Sequence, residues 1–480
     1  MWEEVCYFLP SSKEKLMRLK FPKQWSSEQL TILRSAPRPI EIIKGAAGSG
    51  KTLTALLKMA FAINYFAREQ RPLRVQVLSY NRTLRGYIMA LLSHRGFPAY
   101  NSNEISVNIE TFAKWAKAIS NEEYLSITTP GKYLQSIPSA HPLASRYDNS
   151  FIAEEMEYVL KRFPHDNLNT YINARRKGRG PTPAINQQER KILIDEYIGP
   201  YGNWKVGKGV KDWNDLAWQA NEIVSPSYDI IVVDEGQDFT ANQYRVVMKS
   251  LLQDSCFICV VDTAQNIYLN GFTWAECGID AVHNQPHTLS YNFRNTKEIA
   301  LLSASLLGGM SIDDDGVMPV VHDAMRSGPV PVLLEGKFSK QFSYIIQKIK
   351  DAEEKQESSA ILIKAENWFS EVEAQLSAAG ISYDRIVREA EWPDTDVYVV
   401  LSTMHSAKGL EFDHVFMPGV NNQLFPLYSA EAQETADRDR RLLAMAVGRA
   451  RETVVIGQKP GEVCPYFDSI PNHILCRVSV

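Results

Sequence analysis

The chain is 480 residues long, 45% hydrophobic and 22% charged, with a formal net charge of −4. At roughly 150 residues per domain this predicts about three domains, each large enough to bury a core. The weak acidity excludes attachment to nucleic acid through the overall field, and the lack of any apolar run near ~18 residues excludes a membrane span.

The amino terminus is acidic and leads into no signal-like core, so a cytoplasmic location and no membrane partner are expected. Six cysteines in a chain of this length make no disulfide framework, and the close pair Cys256 and Cys259, in "CFICVVD", reads as core thiols of a buried strand. The stretch from Met1 to Pro22 has an amphipathic look and is expected to pack on the rest of the chain.

In chain order, the first informative segment is "IEIIKGAAGSGKTLTAL", residues 40–56. Ile40, Ile42 and Ile43 predict a buried parallel strand, Gly45 to Gly50 a tight loop, and Lys51 onward a helix. This is G-x-x-x-x-G-K-[ST] in its strand-to-helix setting. Gly45, Gly48, Ser49 and Gly50 let backbone N–H groups converge on an anion, Lys51 reaches the outer phosphates, and Thr52 offers a hydroxyl to magnesium. Between Phe112 and Tyr228, patterns such as "FIAEEMEYVLKRF" and "ERKILIDEYI" repeat apolar residues at helical spacing. The basic runs "NARRKGRG" and "NWKVGKGVKDW" in the same region read as solvated loops or phosphate contacts. Ile230 to Val233 then form an apolar strand that ends in Asp234 and Glu235, where a parallel sheet presents ligand-binding groups. Asp234 is placed to hold magnesium and Glu235 to orient and deprotonate water. Further on, "TKEIALLSASLL" reads as a helix, "SAILIK" as a strand and "ENWFSEVEAQLSAAG" as another helix.

"VVDEGQD", "CVVDTAQNIY", "LSYNFRNT", "STMHSAKGLEFDHVF" and "RRLLAMAVGRARE" follow in the order of the sequence blocks of superfamily 1 helicases. From about Gln29 to about Glu452 the chain resembles the UvrD/Rep branch, with "TMHSAKGLEF" the most specific block. The resemblance implies an α/β fold: two RecA-like P-loop lobes with parallel sheets, and a helical insert in the first lobe. The expected divisions are 1–112 (first lobe with the P-loop), 113–227 (helical insert), 228–285 (the rest of the first lobe) and 286–480 (second lobe).

The resemblance also implies roles. Gln29 reads the adenine edge, Phe293 stacks on the base and Glu411 meets the ribose, so ATP with Mg2+ is the implied nucleotide. Gln265 senses the γ-phosphate, while Arg294 and Arg449, from the second lobe, neutralise transition-state charge. Tyr80, Thr111, Phe112, Tyr268, Phe272, Trp274, Thr403 and His405 match positions that contact an unpaired strand. Rings of this kind more often pack in cores, so the resemblance alone carries those assignments. The third block departs from the family: "IYLNGFTWAECG" lacks the usual arginine, which leaves open whether Phe272 or Trp274 stacks. In the last block Ala444 stands where an aromatic is common, and Gly448 where threonine is usual.

From Arg294 to Val397 there are only about a hundred residues, too few for the large second insert of the long UvrD/Rep helicases. About thirty residues follow the last block, so no fused nuclease domain is expected. The implied function is an ATP-dependent translocase or helicase on single-stranded DNA or single/double-strand junctions, moving 3′ to 5′. The alternative is a nucleic-acid-sensing ATPase that regulates a partner nuclease, as in anti-phage defence.

Overall fold

The computed structural model describes residues 25–45, 48–69, 71–79, 85, 88, 104–121, 127–138, 142–176, 184–262, 271–280, 285–292, 294–310, 326–387, 397–428 and 433–480. The segment up to Pro22 and four expected site residues, Tyr80, Gln265, Tyr268 and Phe293, lie outside them.

Ile40–Gly45 (β1) is buried along its whole length, as a strand inside a parallel sheet with both faces covered must be. It joins Leu73–Ser79 (β2), Ile105–Thr111 (β3), Tyr228–Val233 (β4), Leu251–Val261 (β5) and His287–Leu289 (β6) in the order β3-β2-β4-β5-β1-β6. Every pairing is parallel. Because side chains alternate along a strand, the inner strands β1, β2, β4 and β5 feed two cores. Ile42, Ile231, Val233, Phe257 and Cys259 pack against the helices Phe112–Ser120, Trp213–Ile223 and Ala241–Ser250. Ile43, Val75, Val77, Ile230, Val232, Cys256 and Ile258 pack on the other face against the helix Lys51–Phe66. Cys256 and Cys259 are thus buried thiols on opposite faces of β5.

A second all-parallel sheet follows: Val332–Glu335 (β7), Ser359–Ile363 (β8), Asp384–Ile386 (β9), Val399–Thr403 (β10), Phe412–Met417 (β11), Ala450–Gln458 (β12) and Cys476–Ser479 (β13). Their order is β13-β7-β12-β11-β8-β10-β9. Helices Lys297–Leu307 and Gln433–Val447 cover one face, and Phe338–Glu354 and Phe369–Ala378 the other. The two sheets are the two parallel-sheet lobes expected from the sequence.

Two divisions differ from expectation. His287–Leu289 pairs with β1, so the first lobe runs past residue 286 to Leu289. A three-residue strand is too short to announce itself by alternation. The insert is also smaller than 113–227: its own core is built from residues between Tyr133 and Tyr201, whereas Trp115, Ala116, Leu216, Ala217 and Ala220 belong to the core of the first lobe. The helices Phe112–Ser120 and Trp213–Ile223 are therefore stems of the lobe, and the insert is strung between them. Its ends meet in a parallel bridge between Ile127 and Lys211, with the Thr128 N–H donating to the Lys211 carbonyl at 2.9 Å. Among the described residues no helix is long and apolar enough to cross a membrane.

Candidate nucleotide site between the lobes

The loop after β1 bends where only glycine is comfortable. Gly48 and Gly50 have φ of 79° and 76°, and Gly50 is the residue from which the Lys51–Phe66 helix starts. A Cβ on Gly48 would run into Asn292 and Arg294, and one on Gly50 would lie 2.7 Å from the Gln29 amide nitrogen. The loop is thus packed from behind by Asn292 and by two residues the sequence had already singled out, Arg294 and Gln29.

Lys51 and Thr52 open the helix. The Lys51 ammonium donates to the Gly45 carbonyl at 2.8 Å and to Asp262 Oδ2 at 3.0 Å. The Thr52 hydroxyl lies 3.1 and 3.0 Å from the two Asp234 carboxylate oxygens, which joins the P-loop to the end of β4. A hydroxyl and a carboxylate side by side offer the oxygen ligands a hard octahedral cation takes, so Thr52 and Asp234 are the pair that would hold Mg2+. The buried Ser49 hydroxyl has no partner among the described residues, as a phosphate-facing group would.

Glu235 follows Asp234 with φ of 52°, a left-handed conformation that glutamate rarely adopts. Such strain is stored where surrounding structure over-determines it. Burial pushes the Glu235 carboxyl up, but the charges of Lys408, Arg449 and Lys51 outweigh it and hold it below its usual range. Burial and the adjacent Glu235 charge act the other way on Asp234, whose carboxyl is raised.

The second lobe closes the site with cations. Lys408, in the loop after β10, is buried and donates to Asp238 Oδ1 at 2.6 Å. Arg449 is buried in the turn just before β12, where its guanidinium donates to the Met445 and Leu410 carbonyls at 3.2 and 3.4 Å. Arg294 donates to the Gly448 carbonyl at 3.3 Å and pairs with Glu411. Glu411 also takes Arg451 at 2.8 Å, so its two oxygens brace two arginines here instead of standing open for a ribose.

Gln29 is buried, with its side-chain oxygen accepting from Ser26 N–H at 3.0 Å and its amide donating to the Ser49 carbonyl and Thr54 hydroxyl at 3.4 and 3.3 Å. In this structure it pins the Ser27–Arg34 helix to the P-loop. The same helix is held by Lys58, whose ammonium donates to the Ile32 and Ser35 carbonyls at 2.9 and 2.8 Å and pairs with buried Glu41 at 3.2 Å.

The expected strand contacts fare unevenly. Phe112 is 4% exposed and packed edge-on between Trp115 and Phe239, so no face remains for a base and its stacking role is corrected to a core one. Thr111 is the N-cap of the following helix and accepts from Lys114 N–H at 3.3 Å. Thr403 bonds Ser406 through both its hydroxyl roles, which shapes the turn that carries His405 and Lys408. Phe272 and Trp274 are half-buried and lean on Tyr244 at centroid distances of 5.6 and 5.5 Å. Lys408, Asp238, Asp262, Gln237 and Arg451 were not singled out from the sequence. All lie inside the quoted blocks, which was the available signal.

Two parallel α/β lobes, a phosphate loop on one and basic side chains from the other define a two-lobed P-loop nucleotide-binding protein. The chain belongs to the UvrD/REP helicase family: the UvrD/REP helicase N-terminal domain matches residues 25–279, and the UvrD-like helicase C-terminal domain matches residues 388–459. It is 24% identical over 400 residues to a probable DNA helicase II homolog of Mycoplasma capricolum, a match that covers 75% of this chain and 52% of that one. It is 40% identical over 74 residues to the ATP-dependent DNA helicase PcrA of Staphylococcus aureus (strain MRSA252), covering 15% of this chain and 10% of that one. The chain thus spans about half the length of the first of these relatives and a tenth of the second. Among solved structures, S. cerevisiae Dbp5 bound to RNA and ADP BeF3 aligns with a TM-score of 0.43 at 12% identity, covering 95% of this chain and 90% of that one.

Proposed function

We propose that the chain is an ATP-dependent motor that moves 3′ to 5′ along single-stranded DNA and acts at single/double-strand junctions. The observation that carries this reading is the contact of the Thr52 hydroxyl with Asp234, set in a cleft into which the second lobe inserts Lys408 and Arg449. Family membership and the helicase names of the two relatives support ATP and DNA as nucleotide and track; direction rests on the resemblance of the motif blocks.

In this reading Lys51 binds the outer phosphates of ATP, and Mg2+ held by Thr52 and Asp234 supplies charge neutralisation there when bound. Glu235, kept ionised by three neighbouring cations, takes the proton of the attacking water. Arg294 and Arg449 meet the charge that develops on the transferred phosphoryl group, with Gln265 as the γ-phosphate sensor. Because the arginines and Lys51 sit on different lobes, binding draws the lobes together and hydrolysis lets them part. Thr403, His405, Phe272 or Trp274, Tyr80 and Tyr268 remain the proposed track contacts. The compact second lobe supports a second reading, in which a partner such as a nuclease is needed for duplex opening or is regulated by it. The cytoplasm is the compartment that suits either.

ATP turnover of the full chain with no nucleic acid, single-stranded DNA, duplex DNA and RNA tests this, followed by strand displacement on 3′- and 5′-tailed duplexes. The expected result is stimulation by single-stranded DNA and preference for a 3′ tail. Turnover indifferent to nucleic acid would overturn the motor reading.

A further inference from the structure

The order of the first sheet places β5 between β1 and β4. The residue that follows β5, Asp262, therefore emerges between Lys51, which follows β1, and Asp234, which follows β4. Asp262 is buried, and its Oδ2 accepts from the Lys51 ammonium at 3.0 Å. Its other oxygen has no hydrogen-bond partner among the described residues. Its own N–H donates to Gln237 Oε1 at 2.8 Å, and the Gln237 amide in turn donates to Glu235. One chain of contacts thus runs from the phosphate-binding lysine to the water-activating carboxylate.

A carboxylate oxygen and a phosphate oxygen ask the same thing of an ammonium: a short, charge-assisted hydrogen bond at about 2.7–2.9 Å. Lys51 already spends two of its three N–H donors on the Gly45 carbonyl and Asp262, and a phosphate brought to the same cation would lie beside the Asp262 carboxylate in a buried cleft, where two anions repel each other. Resting on the ATP reading above, we infer that Asp262 is an internal anion that occupies the phosphate position on Lys51 and must yield it when a nucleoside triphosphate binds. Nucleotide affinity then reflects the difference between two pairings of Lys51. The exchange is relayed by the Asp262 N–H to Gln237, and so to Glu235. Asp262 acts here as a positioning residue and competitor, with no direct part in bond cleavage.

The test uses the full chain as wild type, Asp262→Asn and Asp262→Ala. The affinity for the non-hydrolysable β,γ-imido analogue of ATP with Mg2+ is measured by calorimetry, and thermal stability is measured without nucleotide and at saturation. Asp262→Asn keeps the shape and the N–H to Gln237 but removes the competing charge. Its dissociation constant should fall by about tenfold, or 1.4 kcal/mol. Without nucleotide both variants should melt below wild type, since Lys51 has lost its counter-charge, and the gap should narrow at saturation. A residue that merely supported the fold would lower stability in both conditions without tightening binding. Unchanged or weaker affinity in Asp262→Asn, with the variant folded, would overturn the inference and make Asp262 a support for the bound state. If folded wild type and variants all failed to bind the analogue, the nucleotide reading would fall and this inference with it.

Discussion

Lys408 of the second lobe lies 2.6 Å from Asp238 of the first, an ion pair sealed from water on both sides and separated by 170 positions in the chain. Removing one partner of such a pair leaves a buried charge without compensation, at a cost of ~3–5 kcal/mol. Lys408→Ala should therefore lower the melting temperature measured by calorimetry, and Asp238→Asn in the same chain should recover part of the loss. Identical melting of Lys408→Ala and wild type would mean that the lobes are not joined through this pair in solution.

Glu235→Gln keeps the shape at the end of β4 and removes the base. It should bind ATP as wild type does and lose at least ~10²-fold in turnover, the span of general-base catalysis. Lys51→Ala should lose turnover through binding. Both are read from single-turnover rates beside equilibrium binding, and normal turnover by Glu235→Gln would remove it from the proposed role.

Arg449 is buried and bonded to two carbonyls, so its guanidinium is held in place. Preorganised charge of this kind acts on the transition state more than on the ground state. Arg449→Ala should lower kcat far more than it weakens ATP affinity. The reverse pattern would make it a simple phosphate clamp.

Glu41 sets an acid limit on the first lobe. Burial raises its carboxyl, but hydrogen bonds from His287 and Arg38 and the charge of Lys58 more than offset this and bring it down to about 2 from 4.5. A folded-state pKa below the unfolded one means stabilisation that is complete above pH ~4.5 and is lost as pH falls towards ~2. The shift corresponds to about 3 kcal/mol. Urea midpoints of wild type should therefore fall more steeply than those of Glu41→Gln across that window, and parallel curves would contradict the assignment.

Phe112→Ala should cost ~3–5 kcal/mol, because it empties a site between Trp115 and Phe239. Melting temperature against single-strand affinity separates the possibilities: a stable variant with weakened DNA binding would restore the stacking role.

Phe112 also shows what the sequence could and could not convey. Its block is recognisable, but whether a ring faces core or solvent depends on helices far along the chain, here Trp213–Ile223 and Ala241–Ser250. The phosphate loop and the Asp234–Glu235 pair were legible because each is a local pattern, a strand ending in a few chemically committed residues. Lys408 lay within the most specific block, yet its partner Asp238 is brought to it only by the meeting of two lobes. The stems Phe112–Ser120 and Trp213–Ile223 have the same helical periodicity as the insert between them, and only packing assigns them to the lobe. Glu411 was expected at a ribose from its place in a motif, whereas its pairing with Arg294 and Arg451 depends on where those arginines fold.

The bridge between Ile127 and Lys211 makes the insert a graft with a single scar. Both cut ends are tied together beside the stems, so lengthening the chain beyond the knot adds only a slowly growing closure entropy, about 0.6 kcal/mol for each doubling. Growth or loss of residues beyond the knot therefore leaves β1, β4 and β5, and the side chains that follow them, where they stand.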